Sequence, residues 1–96
     1  MRLEEQQVND ELARLEGWKL EDAKWITKRY RFREYLQGIE FVGEIARAAE
    51  AQNHHPMIAI DYKLITVRLT TWSAAGLTLL DCAAASEYDR IYDSLL

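Results

Sequence analysis

From Lys24 to Tyr35 the chain alternates with a period of two residues. Ile26, Lys28, Tyr30 and Phe32 fall on one face, and Trp25, Thr27, Arg29, Arg31 and Arg33 on the other. A half-buried antiparallel strand has this pattern, because successive strand side chains point to opposite faces of the sheet. The stretch therefore calls for a sheet with a core on its Ile26 side and a second layer to close that core. Lys28 is the one imperfection in the apolar face, and it is expected to lie near the end of that face. The same stretch is basic with interleaved aromatics, as a nucleic-acid face would be. The alternation reads it instead as the charged outer side of a strand. Sixteen acids against twelve bases, a net charge of −4, also disfavour binding to a phosphate backbone.

The rest of the chain supplies the partners this strand needs. Glu4 to Leu15 reads as a short amphipathic helix with Val8, Leu12 and Leu15 on one stripe, and Gly17 ends it. Trp18-Lys19-Leu20 opens a strand, and Glu21-Asp22-Ala23 is the turn into the alternating stretch. Gly38 is expected to break that strand. A helix follows to about Gln52, with Ile39, Val42, Ile45, Ala46 and Ala49 inward. Met57 to Tyr62 and Ile65 to Thr71 form a second hairpin, turning around Tyr62-Lys63-Leu64. Residues 71 to 76 are a loop. Thr78 caps the last helix, with Asp81 three residues on in capping-box position. The order is α-β-β-α-β-β-α. It predicts an α+β fold, a two-layer α/β sandwich whose four-stranded antiparallel sheet carries three helices on one face. Ninety-six residues are expected to form a single domain, 1–96. Cys82 is the lone cysteine, so no internal disulfide can form. No apolar run approaches the roughly 20 residues of a membrane span, and the first residues lack a signal-peptide core. These features lead us to expect a soluble, cytoplasmic chain with no membrane partner.

Both histidines stand together, His54 and His55, directly before the only proline, Pro56. The residue before a proline avoids helical geometry, so the pair sits at the end of the middle helix. The dipole of a helix C-terminus favours the imidazolium form there, as suits a general acid. Adjacent residues at a helix-to-strand junction point in different directions, so the two rings are expected to have different jobs. Glu50 lies in the same last turn, where a carboxylate is unfavourable for the dipole, and this suggests that it has a task. Two histidines without a third ligand do not make a zinc site, so no metal is expected.

With these residues in place the chain resembles the pterin-4a-carbinolamine dehydratases. Glu50, His54, His55, Pro56, Tyr62, Trp72 and Asp81 stand at the spacings of that family's signature, and the element order extends the likeness to nearly the whole chain. The resemblance implies dehydration of a 4a-hydroxytetrahydropterin to quinonoid dihydropterin in tetrahydropterin recycling. It makes the protein a hydro-lyase that works by histidine acid–base catalysis with no bound cofactor. It implies that His54 is the general acid and that His55 binds and orients the pterin. Glu50, Asn53, Pro56, Tyr62, Trp72 and Asp81 are implied as lining or polar partners of the site. It also implies a homodimer or homotetramer. Two features depart from the common pattern. Trp72 stands where the three-histidine members carry a third histidine, and Asn53 replaces an acid. The alternatives are a non-catalytic module of the same fold, a dimerisation cofactor or an enzyme-assembly factor, and an enzyme acting on a different pterin.

Overall fold

The alternating stretch forms strand β2, Trp25–Arg31. In the computed structural model, which describes residues 1–96, α1 (Glu5–Leu12) and β1 (Lys19–Glu21) precede it. After it come α2 (Tyr35–Gln52), β3 (Met57–Asp61), β4 (Leu64–Leu69), a 3₁₀ turn at Trp72–Ala74 and α3 (Leu79–Leu95). The sheet order is β1-β2-β4-β3, antiparallel throughout. The two hairpins meet where β2 pairs with β4, with Ile26 opposite Leu69 and Tyr30 opposite Ile65. These four residues join Phe41 and Ile45 of α2 and Ala84, Ala85 and Tyr88 of α3 in one buried cluster. Each such large side chain contributes about 1.5–3 kcal/mol by leaving water. No helix is long and apolar enough to cross a membrane.

Lys28 is tolerated on the inner face because it is partnered. Its ammonium donates to Asp89 Oδ1 at 2.8 Å and to the Glu16 carbonyl at 2.9 Å, and it lies over the Tyr30 ring. The Tyr30 hydroxyl donates to the same carboxylate oxygen at 2.6 Å, and the Trp18 indole N–H approaches it at 3.2 Å. Burial, reinforced by the Asp89 hydrogen bond, pushes the Tyr30 hydroxyl well above the usual phenol range. One acid of α3 thus ties together β2, the end of the first loop and the last helix.

Several boundaries differ from the sequence expectation. α1 stops at Leu12 rather than Leu15, because the N–H groups of Arg14 and Leu15 turn to carbonyls three residues back. Leu15 is still buried. β2 ends at Arg31, and the apolar alternation runs on only through Phe32, whose N–H is taken by the Lys63 carbonyl. Gly38 does not break the strand. It lies in the first turn of α2, its N–H bonded to the Glu34 carbonyl. A Cβ there would meet Phe32 at 3.3 Å and Ile65 at 3.5 Å, so glycine lets the helix press onto the sheet. The second hairpin turns at Tyr62-Lys63, with Tyr62 left-handed at φ 55°. Thr70 and Thr71 fall outside β4. The capping box of α3 forms as its spacing predicts.

Candidate active site

α2 ends because Asn53 adopts a left-handed conformation, φ 52° and ψ 43°. Its N–H bonds to the Glu50 carbonyl, and the His54 N–H reaches back to the Ala49 carbonyl at 3.1 Å. This is the six-to-one closure that ends many helices, and asparagine tolerates the conformation better than most residues. The turn separates the two rings. His54 goes inward and is 9% exposed, whereas His55 is exposed.

His54 Nε2 lies 2.7 Å from Asp81 Oδ1. Asp81 is 0% exposed, an extreme position for a carboxylate, so its partners matter. Oδ2 accepts from the Thr71 hydroxyl at 2.8 Å and from the Thr78 N–H at 2.9 Å. Thr71 has spent its one proton on Asp81, so Thr78 must donate across the 2.8 Å Thr71–Thr78 contact. Thr78 in turn accepts from the Leu80 N–H. Every donor in this chain points toward Asp81, and the N-terminus of α3 adds its dipole. A carboxylate so placed takes the Nε2–H of His54, which leaves Nδ1 as the nitrogen that can exchange a proton. The Nε2 contact is the only side-chain hydrogen bond of that ring.

A pocket of about 300 Å³ opens over the pair. It is lined by Asn53, His54, His55, Thr70, Thr71, Trp72, Ser73 and Leu80. Trp72 stands 73% exposed, its ring perpendicular to that of Trp25 at 5.2 Å. His55 Nε2 is 2.5 Å from Glu50 Oε1, which gives the ill-placed acid of the last turn a partner. Pro56 lies between His55 and β3.

Of the expected site residues, the fold brings together Asn53, His54, His55 and Trp72, with Asp81 behind His54 and Glu50 reached through His55. It does not bring in Tyr62. β3 leads away from Pro56 for five residues, at roughly 3.3 Å each. Tyr62 ends at the far turn, 68% exposed and stacked on Tyr35 at 6.1 Å. Sequence reasoning missed Thr70, Thr71, Ser73 and Leu80 as lining residues, and Trp25 behind Trp72. A signal for Thr71 was available in the capping box, since a buried N3 acid needs donors beyond its own helix end. Cys82 is no candidate nucleophile, because burial pushes its thiol up to about 11. No three His, Cys, Asp or Glu side chains converge as a metal site.

The profile of the family described as pterin 4 alpha carbinolamine dehydratase matches residues 1–91. A protein of Picosynechococcus sp. that carries the provisional name pterin-4-alpha-carbinolamine dehydratase is 37% identical over 90 residues. The match covers 94% of this chain and 97% of that one. A protein of Sulfurisphaera tokodaii with the same provisional name is 32% identical over 94% of this chain and 96% of its own length. The crystal structure of a transcriptional coactivator/pterin dehydratase from Brucella melitensis superposes with a TM-score of 0.92 at 31% identity, covering 96% of this chain and 99% of that one. A pterin dehydratase-like protein described as a RuBisCO assembly factor of the alpha-carboxysome shares the fold, with a TM-score of 0.69 at 20% identity over 79% of this chain and 89% of its own.

Proposed function

The chain belongs to the pterin 4 alpha carbinolamine dehydratase family, and on that premise we propose that it dehydrates a 4a-hydroxytetrahydropterin to the quinonoid dihydropterin. The C4a–O bond breaks with its electron pair going to oxygen. His54 Nδ1 delivers a proton to that oxygen, which departs as water. A ring N–H of the pterin gives up its proton, and its electrons become the new double bond. That proton restores the imidazolium, so the net loss is one water. His55, braced by Glu50, orients the pterin ring, and Trp72 forms a wall of the pocket. Asn53 and Pro56 shape the turn that holds both rings. Asp81 keeps His54 in the working tautomer. Tyr62 is assigned no contact with substrate in the isolated chain.

The observation that carries this reading is the His54 ring, buried at a pocket, with one nitrogen on a fully buried carboxylate and the other unbonded. A scaffold has no need of that arrangement. We read the working form as a homodimer or homotetramer, since β1 and β3 each leave an edge unpaired.

The test is dehydration of synthetic 4a-hydroxytetrahydropterin, followed by ultraviolet absorbance. Wild type should accelerate it, and His54→Ala should lose roughly 10²–10⁴-fold with unchanged circular dichroism. Less than a threefold loss would remove His54 from the mechanism. No acceleration by wild type would favour the non-catalytic module.

A further inference from the structure

The outer face of the sheet, read from the sequence as a charged strand side, carries a connected row of side chains that ends at the pocket. Glu21 of β1 accepts from Arg68 Nε of β4 at 2.7 Å. The Arg68 guanidinium lies over the Trp25 ring of β2, 4.3 Å from its centroid. Trp25 meets Trp72 with ring centroids 5.2 Å apart and planes at 85°. Register explains why these groups meet. Glu21 is paired directly with Trp25, and Arg68 with Thr27, two residues along the same face. Long side chains reach such diagonal neighbours across a sheet.

Trp72 needs this support. It sits on a three-residue 3₁₀ turn, followed by Ala75 in a left-handed conformation, and its ring is 73% exposed. Its side chain makes no hydrogen bond within the chain, and Trp25 is its aromatic neighbour. An exposed indole on a short turn would otherwise sample several rotamers, and a wall that moves cannot hold a flat ligand. Resting on the reading of the pocket as a pterin site, we propose that Trp25, held by Arg68 and Glu21, is the positioning residue that fixes Trp72 at the pocket mouth. Trp25 touches no substrate. It acts through Trp72, so it governs how well the pterin is held. It does not govern proton transfer at His54.

The consequence is a split in kinetic parameters. An interaction that holds ground state and transition state equally changes KM and leaves kcat alone. Trp25→Ala should raise KM for the carbinolamine roughly three- to tenfold, the range that loss of an aromatic pair gives, with kcat within twofold. Trp25→Phe should recover most of the loss, and Arg68→Gln should fall between. The perpendicular indole pair should also give an exciton couplet in far-ultraviolet circular dichroism. That couplet should vanish in both Trp25→Phe and Trp72→Phe, whatever the activity. If wild type fails to dehydrate the carbinolamine, the catalytic reading fails. The ladder is then tested by quenching of tryptophan fluorescence with a stable tetrahydropterin, whose Kd should rise by the same factor in Trp25→Ala. An unchanged KM or Kd in Trp25→Ala that melts like wild type overturns the proposal, as does wild type that binds no pterin.

Discussion

At the scale of single residues, Asp81 does two things with one side chain. It closes the capping box of α3 through Oδ2 and faces His54 through Oδ1. Asp81→Asn separates the two roles. An amide oxygen can still accept from Thr71 and from the Thr78 N–H, so the helix start survives at a cost of about 1 kcal/mol. The amide NH₂ then faces His54 and donates to Nε2, which must become the acceptor. The ring is driven to the tautomer with its proton on Nδ1, and the imidazolium loses its counter-charge. We expect kcat/KM to fall roughly 10²-fold or more while the melting temperature drops only a few degrees. Nitrogen chemical shifts of His54 should report the change of tautomer independently of turnover. Full activity in this variant would sever Asp81 from the chemistry. The sequence made this site partly legible. His54, His55 and Asp81 stand out because few residue types do acid–base work near neutrality, and because a capping box has a fixed spacing. Trp25 was not legible, because its part depends on which strands become neighbours; Thr71 was signalled only through the capping box, which does not by itself say that Asp81 is buried. Tyr62 entered as a site residue through the family signature, and its place at the far end of β3 keeps it out of the pocket of the isolated chain.

Among the elements, the hairpins carry more strain than their sequences announce. The turn between β1 and β2 places Asp22 at φ 54° and Ala23 at φ 61°, the two consecutive left-handed residues that a tight hairpin of right-handed twist requires. Aspartate tolerates this, but alanine does not, at a cost of about 1–2 kcal/mol. Ala23→Gly should therefore stabilise the protein by roughly 0.5–1 kcal/mol after the extra freedom of the unfolded chain is counted. That corresponds to a rise of about 2–8 °C in melting temperature, read by calorimetry. A lower melting temperature would mean that the turn relaxes at no cost in the wild type. Element type and order were readable because the longer elements show a period of two or 3.6. Ends were less readable. Gly38 looks like a breaker in the linear sequence, and only the packing of α2 on Phe32 and Ile65 shows it to be a contact point. Lys28 broke the apolar alternation for a reason that lies 61 residues away, at Asp89.

For the whole molecule, the sheet that joins the two hairpins leaves two outer strands. β3 exposes Met57 and Ile60 beside its free backbone edge, and such edges pair with other chains unless something covers them. The protein should sediment as a dimer or tetramer at tens of micromolar; a species of 11.2 kDa alone would refute the homo-oligomer. Within each copy, the shared carboxylate of Asp81 has a consequence for inheritance. Asparagine or serine at this position could start α3 but could not supply a charge to His54. Glutamate could supply the charge, but its added methylene has no room in a place with no exposure. Alanine would do neither. Shape and chemistry are separate examiners, and each rejects a different set of substitutes. Each of these four substitutes fails at least one of the two, whereas aspartate meets both.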